Sequence, residues 1–143
     1  MDTKTLVALL QKAKEAHVEW IVSAHDLTES MYRQKACVSI DESECVFGKW
    51  LDTEGQHIMA KPGMNVLKEI EVKHFDFHNV YSNIVSIYAP ESNKNFLTKF
   101  LPWQMRISPE QEAKAQDELR ILKRHFDELK VMFLRLERCI ATL

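Results

Sequence analysis

Residues 119 to 140 carry seven apolar side chains, Leu119, Leu122, Phe126, Leu129, Phe133, Leu136 and Ile140, separated alternately by three and four positions. That spacing lines one face of a helix and makes the seam of a bundle or coiled coil. A seam of this length is stable only against other helices, so the remaining chain has to supply them.

It does so in three further places. A first helix is expected from about Thr5 to Met31, with Thr3 as cap and an inward stripe of Leu6, Leu9, Leu10, Ala13, His17, Trp20, Ile21, Ala24 and Leu27. A short second helix is expected after Ser43 as cap, stopping near Gly55. A third follows Pro62-Gly63 and reaches Pro90, with Leu67, Ile70, His74, Phe77, Tyr81, Ile84, Val85 and Tyr88 inward. The last begins at "SPEQE", where Ser108 caps, Pro109 fills the first turn, and Glu110 and Glu112 suit the positive end of the helix dipole. No stretch alternates as a strand does. The expected fold is all-α, an antiparallel four-helix bundle with a short extra helix.

Only three glycines and four prolines interrupt 143 residues, which fits one domain, residues 1–143, with long regular elements. "ESNKNFLTKFLPWQMRI" is apolar but broken by Pro102, and reads as an insertion at 91–108 that covers the bundle or joins an interface. A net charge of −2 gives no electrostatic reason to expect nucleic acid or an anionic membrane as partner. No apolar run nears the ~18 residues of a membrane span, and "MDTKTL" is no signal peptide, so the expected place is the cytoplasm. Three cysteines, an odd number, fit reduced thiols better than a disulfide framework.

Three of the inward positions are chemically odd. His74 and His78, in "KHFDFH", stand four apart on one helix face, and His17 lies on the inward stripe of the first helix. Imidazoles facing a core need partners for their ring nitrogens, and a metal ion can serve several at once. The three converge if the two long helices pack antiparallel. Cys45, in "SECVFGKWL", would complete three nitrogens and one sulfur, the closed tetrahedral set typical of zinc. It is expected at the start of the short helix, where the thiolate is favoured and close to the surface. Gly48 lets that helix approach the bundle, and Phe47 and Trp50 anchor it.

"HVEW", "CVFGKWL" and "HFDFH", in this order, resemble the chemoreceptor zinc-binding domain with its His-x-x-Trp, Cys-x-Phe-Gly-x-Trp and His-x-x-x-His elements. The likeness covers residues 5–90, and the last helix by pattern alone. It implies a four-helix bundle holding one zinc through His17, Cys45, His74 and His78. It also implies attachment to a bacterial chemoreceptor or diguanylate cyclase, often as a homodimer, and sensing of zinc or of an oxidant such as hypochlorous acid. A chain of 143 residues leaves no room for either output domain, so the sensor alone is expected, acting on a separate signalling partner.

The other chemistry-bearing residues read as background. Trp20 is a buried anchor, Asp76 belongs to a solvated face, and His25, His57 and His125 are surface or edge histidines. Cys37 is a loop cysteine and Cys139 flanks the last seam. A di-iron bundle of the haemerythrin kind could use His25 with Glu29, but bridging carboxylates are missing from the inner stripes. An interaction protein with purely structural zinc would share every ligand with the sensor. An enzyme is not expected, because four protein ligands leave zinc no open position for water.

Overall fold

A computed structural model describes residues 2–29, 45–88 and 107–142. Among these residues the chain forms five helices and no strand: α1 Thr3–Thr28, α2 Val46–Asp52, α3 Glu54–Met59, α4 Asn65–Tyr88 and α5 Pro109–Ile140. Most of the expected insertion at 91–108, together with Cys37 and Ser43, lies outside the described residues.

All seven seam positions of α5 are buried, from Leu122, Leu129, Phe133 and Leu136 at 0% exposure to Phe126 at 8%. Each such side chain contributes about 1.5–3 kcal/mol by leaving water, so α5 is the spine of the bundle. Its start is fixed by a capping box, in which the Gln111 backbone N–H donates to Ser108 Oγ and the Ser108 N–H donates to Gln111 Oε1.

Cross-helix pairs give the directions. Glu69 meets Arg135 and Lys73 meets Glu128, so α4 and α5 run antiparallel. Lys14 meets Glu137 while Asp2, Thr3 and Leu6 gather with Ile140, so α1 and α5 do the same. It follows that α1 and α4 run in the same direction. His17 touches His74 and His78, whereas Trp20, three residues on, touches His78 and Tyr81. The expectation that the two histidine-bearing helices converge as antiparallel neighbours is therefore corrected. They meet across the bundle as its two parallel members, each antiparallel to α5.

The descending arm between them is α2 followed by α3. Phe47 lies beside His17 and His74, while Glu54, His57 and Ile58 gather with Asp2, Thr3 and Leu6 near the other end of α1. The single short helix expected between Ser43 and Gly55 is thus two, broken at Thr53. There the backbone leaves helical geometry (φ −116°, ψ −95°), and Thr53 Oγ donates to the carbonyls of Lys49 and Trp50. A hydroxyl that bonds its own backbone competes with the helix, and here it ends one. The Pro62-Gly63 turn then reverses the chain, with Gly63 at φ +83°, a conformation costly for other residues.

Two termini differ from expectation. Asp2, not Thr3, caps α1: its carboxylate accepts the Thr5 N–H at 2.7 Å and adds favourable charge at the positive dipole end. The helix closes at Thr28, short of Met31, with the Glu29 N–H donating to the Asp26 carbonyl.

Candidate metal centre

Leu6, Leu10, Ala13 and His17 follow one another on the buried stripe of α1, and Ile70, His74, Phe77 and His78 on that of α4. The helical period that builds the core therefore carries three imidazoles into it. Exposure is 0% for His17, 3% for His74 and 5% for His78. Cys45 is the N-cap of α2, but its side chain caps nothing and turns instead toward the histidines.

The four ligand atoms lie within 4.8 Å of one another. Cys45 Sγ is 3.3 Å from His74 Nε2 and 3.7 Å from His17 Nε2, and the Nε2 atoms of His74 and His78 are 3.1 Å apart. A tetrahedral zinc with ordinary bond lengths requires edges of roughly 3.3 Å between nitrogens and roughly 3.6 Å between nitrogen and sulfur. These three spacings lie within a few tenths of an ångström of those edges, and the set of four, within 4.8 Å, is somewhat wider than the closed polyhedron.

The electrostatics fit as well. Burial pushes the His74 imidazolium down to about 2, helped by the neighbouring His78 and His17, and the same burial with His17 beside it takes His78 to about 3. Burial also lowers His17, against an opposing hydrogen bond to Ala13. All three are neutral near pH 7, the form in which imidazole binds a metal. His17 Nδ1 lies 2.6 Å from the Ala13 carbonyl, which can only accept. The ring proton is thereby placed on Nδ1 and the Nε2 lone pair left toward the cluster. Neutral imidazoles with lone pairs facing each other repel, and a cation among them relieves it.

Gly48 makes the approach of α2 possible. A Cβ at this position would stand 3.3 Å from His74 Cε1, tighter than side-chain packing comfortably allows, and in ordinary contact with Cys45 Cβ at 3.6 Å. Phe47, 2% exposed, packs edge-on against His17, His74 and Phe133 and holds α2 in place.

The thiol is not near the surface as the sequence led us to expect. Cys45 is 4% exposed, because Phe47, Trp50 and Leu51 bury the inner side of α2. Approach to it runs through a cavity of about 410 Å³ between α1 and α2, walled by Ala13, Ala16, Trp20, Val46 and Phe47. The Ala13 carbonyl is the participant that sequence reasoning missed. Its position four residues before His17 was the available signal.

Residues 17–85 match the family model of the chemoreceptor zinc-binding domain. His17, Cys45, His74 and His78 all fall within the match, and α5 lies beyond it. No curated protein and no solved structure matches the chain. The chemoreceptor zinc-binding domain is a sensory and regulatory family rather than an enzyme family, and zinc is the metal that both the family and the donor set of three imidazoles and one thiol point to.

The remaining sequence candidates stay apart from the cluster. His25 pairs with Glu29 at 4.0 Å on the exposed side of α1. His125 lies 3.3 Å from Lys73 at the α4–α5 edge, near the half-buried Asp76. His57 is exposed and Cys139 half-buried. Among the described residues no carboxylate joins a metal-capable group, which removes the bridging chemistry a di-iron bundle needs. No helix of the described residues is long and apolar enough to cross a membrane.

Proposed function

We propose that the protein is a zinc-binding regulatory module in which His17, Cys45, His74 and His78 ligate one ion, and that it signals through a partner protein. One observation carries the reading: of the four donors, three sit on long helices of the bundle, while the fourth sits at the head of a seven-residue helix. Bound zinc holds Cys45 as thiolate and ties that arm to α1 and α4.

Loss of the sulfur ligand frees the arm. An oxidant such as hypochlorous acid takes two electrons from the thiolate, leaves its oxygen as sulfenic acid and departs as chloride. Competition for the metal has the same mechanical result. The arm is poised for release because Trp50 Nε1 is buried with no hydrogen-bond partner, a cost of about 1–3 kcal/mol that hydration removes. Release uncovers Phe47 and Trp50, an apolar pair that a signalling partner of chemoreceptor or diguanylate cyclase type can read. The module works as a homodimer in the cytoplasm, performs no catalysis, and spans residues 1–143 as one domain with an insertion at 91–108.

A purely structural zinc is the competing reading, and the 4% exposure of Cys45 favours it. The two separate on reactivity. Zinc-loaded protein is treated with one equivalent of hypochlorous acid while a chromogenic indicator follows free metal. The sensor releases its zinc within the titration, whereas a structural site retains it.

A further inference from the structure

The two ends of the ligand set are held differently. His17 has its Nδ1 against the Ala13 carbonyl at 2.6 Å, while His78 Nδ1 is buried with no hydrogen-bonding oxygen or nitrogen partner. His78 Nε2 is turned to the cluster, 3.1 Å from His74 Nε2, so a metal at Nε2 leaves the ring proton on Nδ1. An imidazole N–H that is neither hydrated nor bonded is costly, and a ligand histidine whose other nitrogen is unheld is free to rotate off its metal.

One aromatic ring packs closely enough against His78 to serve as acceptor. The indole of Trp20 lies with its ring centroid 4.4 Å from that of His78 and the planes at 88°, the closest and most nearly perpendicular contact His78 makes. The Trp20 ring is itself set edge to face on Tyr81 at 4.7 Å, so it is held rather than loose. Phe77, the other large ring at His78, is 5.4 Å away and the next residue on the same helix. Aromatic faces carry negative quadrupole density and accept N–H donors, more weakly than oxygen does.

We propose that Trp20 is the positioning residue for His78. Its indole face receives the Nδ1–H and keeps Nε2 on the metal, the role the Ala13 carbonyl has for His17. This rests on the ligand set proposed above and assigns a task to a residue that otherwise counts as packing. It also ranks the ligands: His17 is gripped by an oxygen, and His78 by a weaker acceptor from a different helix. The metal site is thereby coupled to the α1–α4 contact at Trp20 as well as to α2.

The test uses zinc-loaded, ¹⁵N-labelled protein and two variants, Trp20→Phe and Trp20→Leu. In the wild type the His78 Nδ1–H resonance is expected well upfield of that of His17, because one proton lies over a ring and the other is bonded to a carbonyl. Competition against a chromogenic chelator is expected to show a roughly tenfold loss of zinc affinity in Trp20→Leu, the low end for an outer partner. Trp20→Phe, which keeps an aromatic face, is expected to stay within about threefold of wild type. A His78 proton as far downfield as that of His17 overturns the proposal, and so does equal loss in the two variants, which is packing alone. The resonance is read on unaltered protein and stands even if a variant folds poorly. A wild type that binds no zinc would overturn the ligand set itself, a different result from tight binding that ignores Trp20.

Discussion

Cys45 Sγ lies 3.3 Å from His74 Nε2, across the contact between α2 and α4. No other pair in the cluster joins the short arm to the α4–α5 core so closely, and Gly48 permits it by leaving its Cβ volume to the His74 ring. The arm and the candidate metal centre are therefore in direct contact.

Replacing Cys45 by serine removes the sulfur and leaves the backbone unchanged. Zinc affinity is expected to fall by more than the ~10–100-fold that loss of an outer partner costs. Native mass spectrometry with elemental analysis of both forms gives the stoichiometry. Equal zinc content after mild chelation would remove the sulfur from the ligand set.

Gly48→Ala separates the arm's helix propensity from its fit. Alanine in a helix is favoured over glycine by up to about 1 kcal/mol, but its methyl group would meet His74 Cε1 at 3.3 Å. Without metal the imidazole can shift, so thermal stability of the zinc-free protein is expected to hold or rise. With metal the ring is fixed, and zinc affinity is expected to drop about tenfold. Melting curves with and without zinc check both signs.

The helical frame and the three candidate histidines were legible because both follow from periodicity, and Cys45 was legible from its place in "CVFGKWL". The α5 seam reports its own burial, and His17, His74 and His78 sit on stripes whose other members are core. Direction is not written in a single helix's period, so the parallel run of α1 and α4 had to come from the contacts of His17 with His74 and His78 and of Trp20 with His78 and Tyr81. The break at Thr53 carries no glycine or proline signal at that residue; a side-chain hydroxyl bonded to its own backbone makes it. The depth of Cys45 depends on Phe47, Trp50 and Leu51 packing inward from a helix of seven residues, too short for its sequence to declare a face.

Stability of the zinc-free protein should depend on pH through the buried histidines. Their folded values lie below the unfolded value of about 6.5, at about 2 for His74 and about 3 for His78. Below pH 6.5 the unfolded chain binds protons that the folded one refuses, so acid favours unfolding. Each group withdraws up to about 1.4 kcal/mol per pH unit as pH falls from 6.5 toward its folded value. Urea unfolding is expected to be flat above pH 7 and to weaken steadily from 6.5 to 4.5. A profile flat across that range would mean these rings are protonated or hydrated in the fold.

Phe133 is 0% exposed and packs edge-on at 5.2 Å against Phe47, which in turn borders His17 and His74. Phe133→Ala is expected to cost about 3–5 kcal/mol in urea unfolding of the zinc-free protein. Added zinc should recover part of that loss, because it binds the folded state selectively. An effect below about 1 kcal/mol would mean that the α2–α5 contact is not part of the cooperative core.

Zinc K-edge X-ray absorption of the metal-loaded protein tests the central claim most directly. Three nitrogen scatterers at about 2.0–2.1 Å and one sulfur at about 2.3 Å are expected around a single ion. A shell of nitrogen and oxygen alone, or a second metal scatterer beside the first, would contradict it.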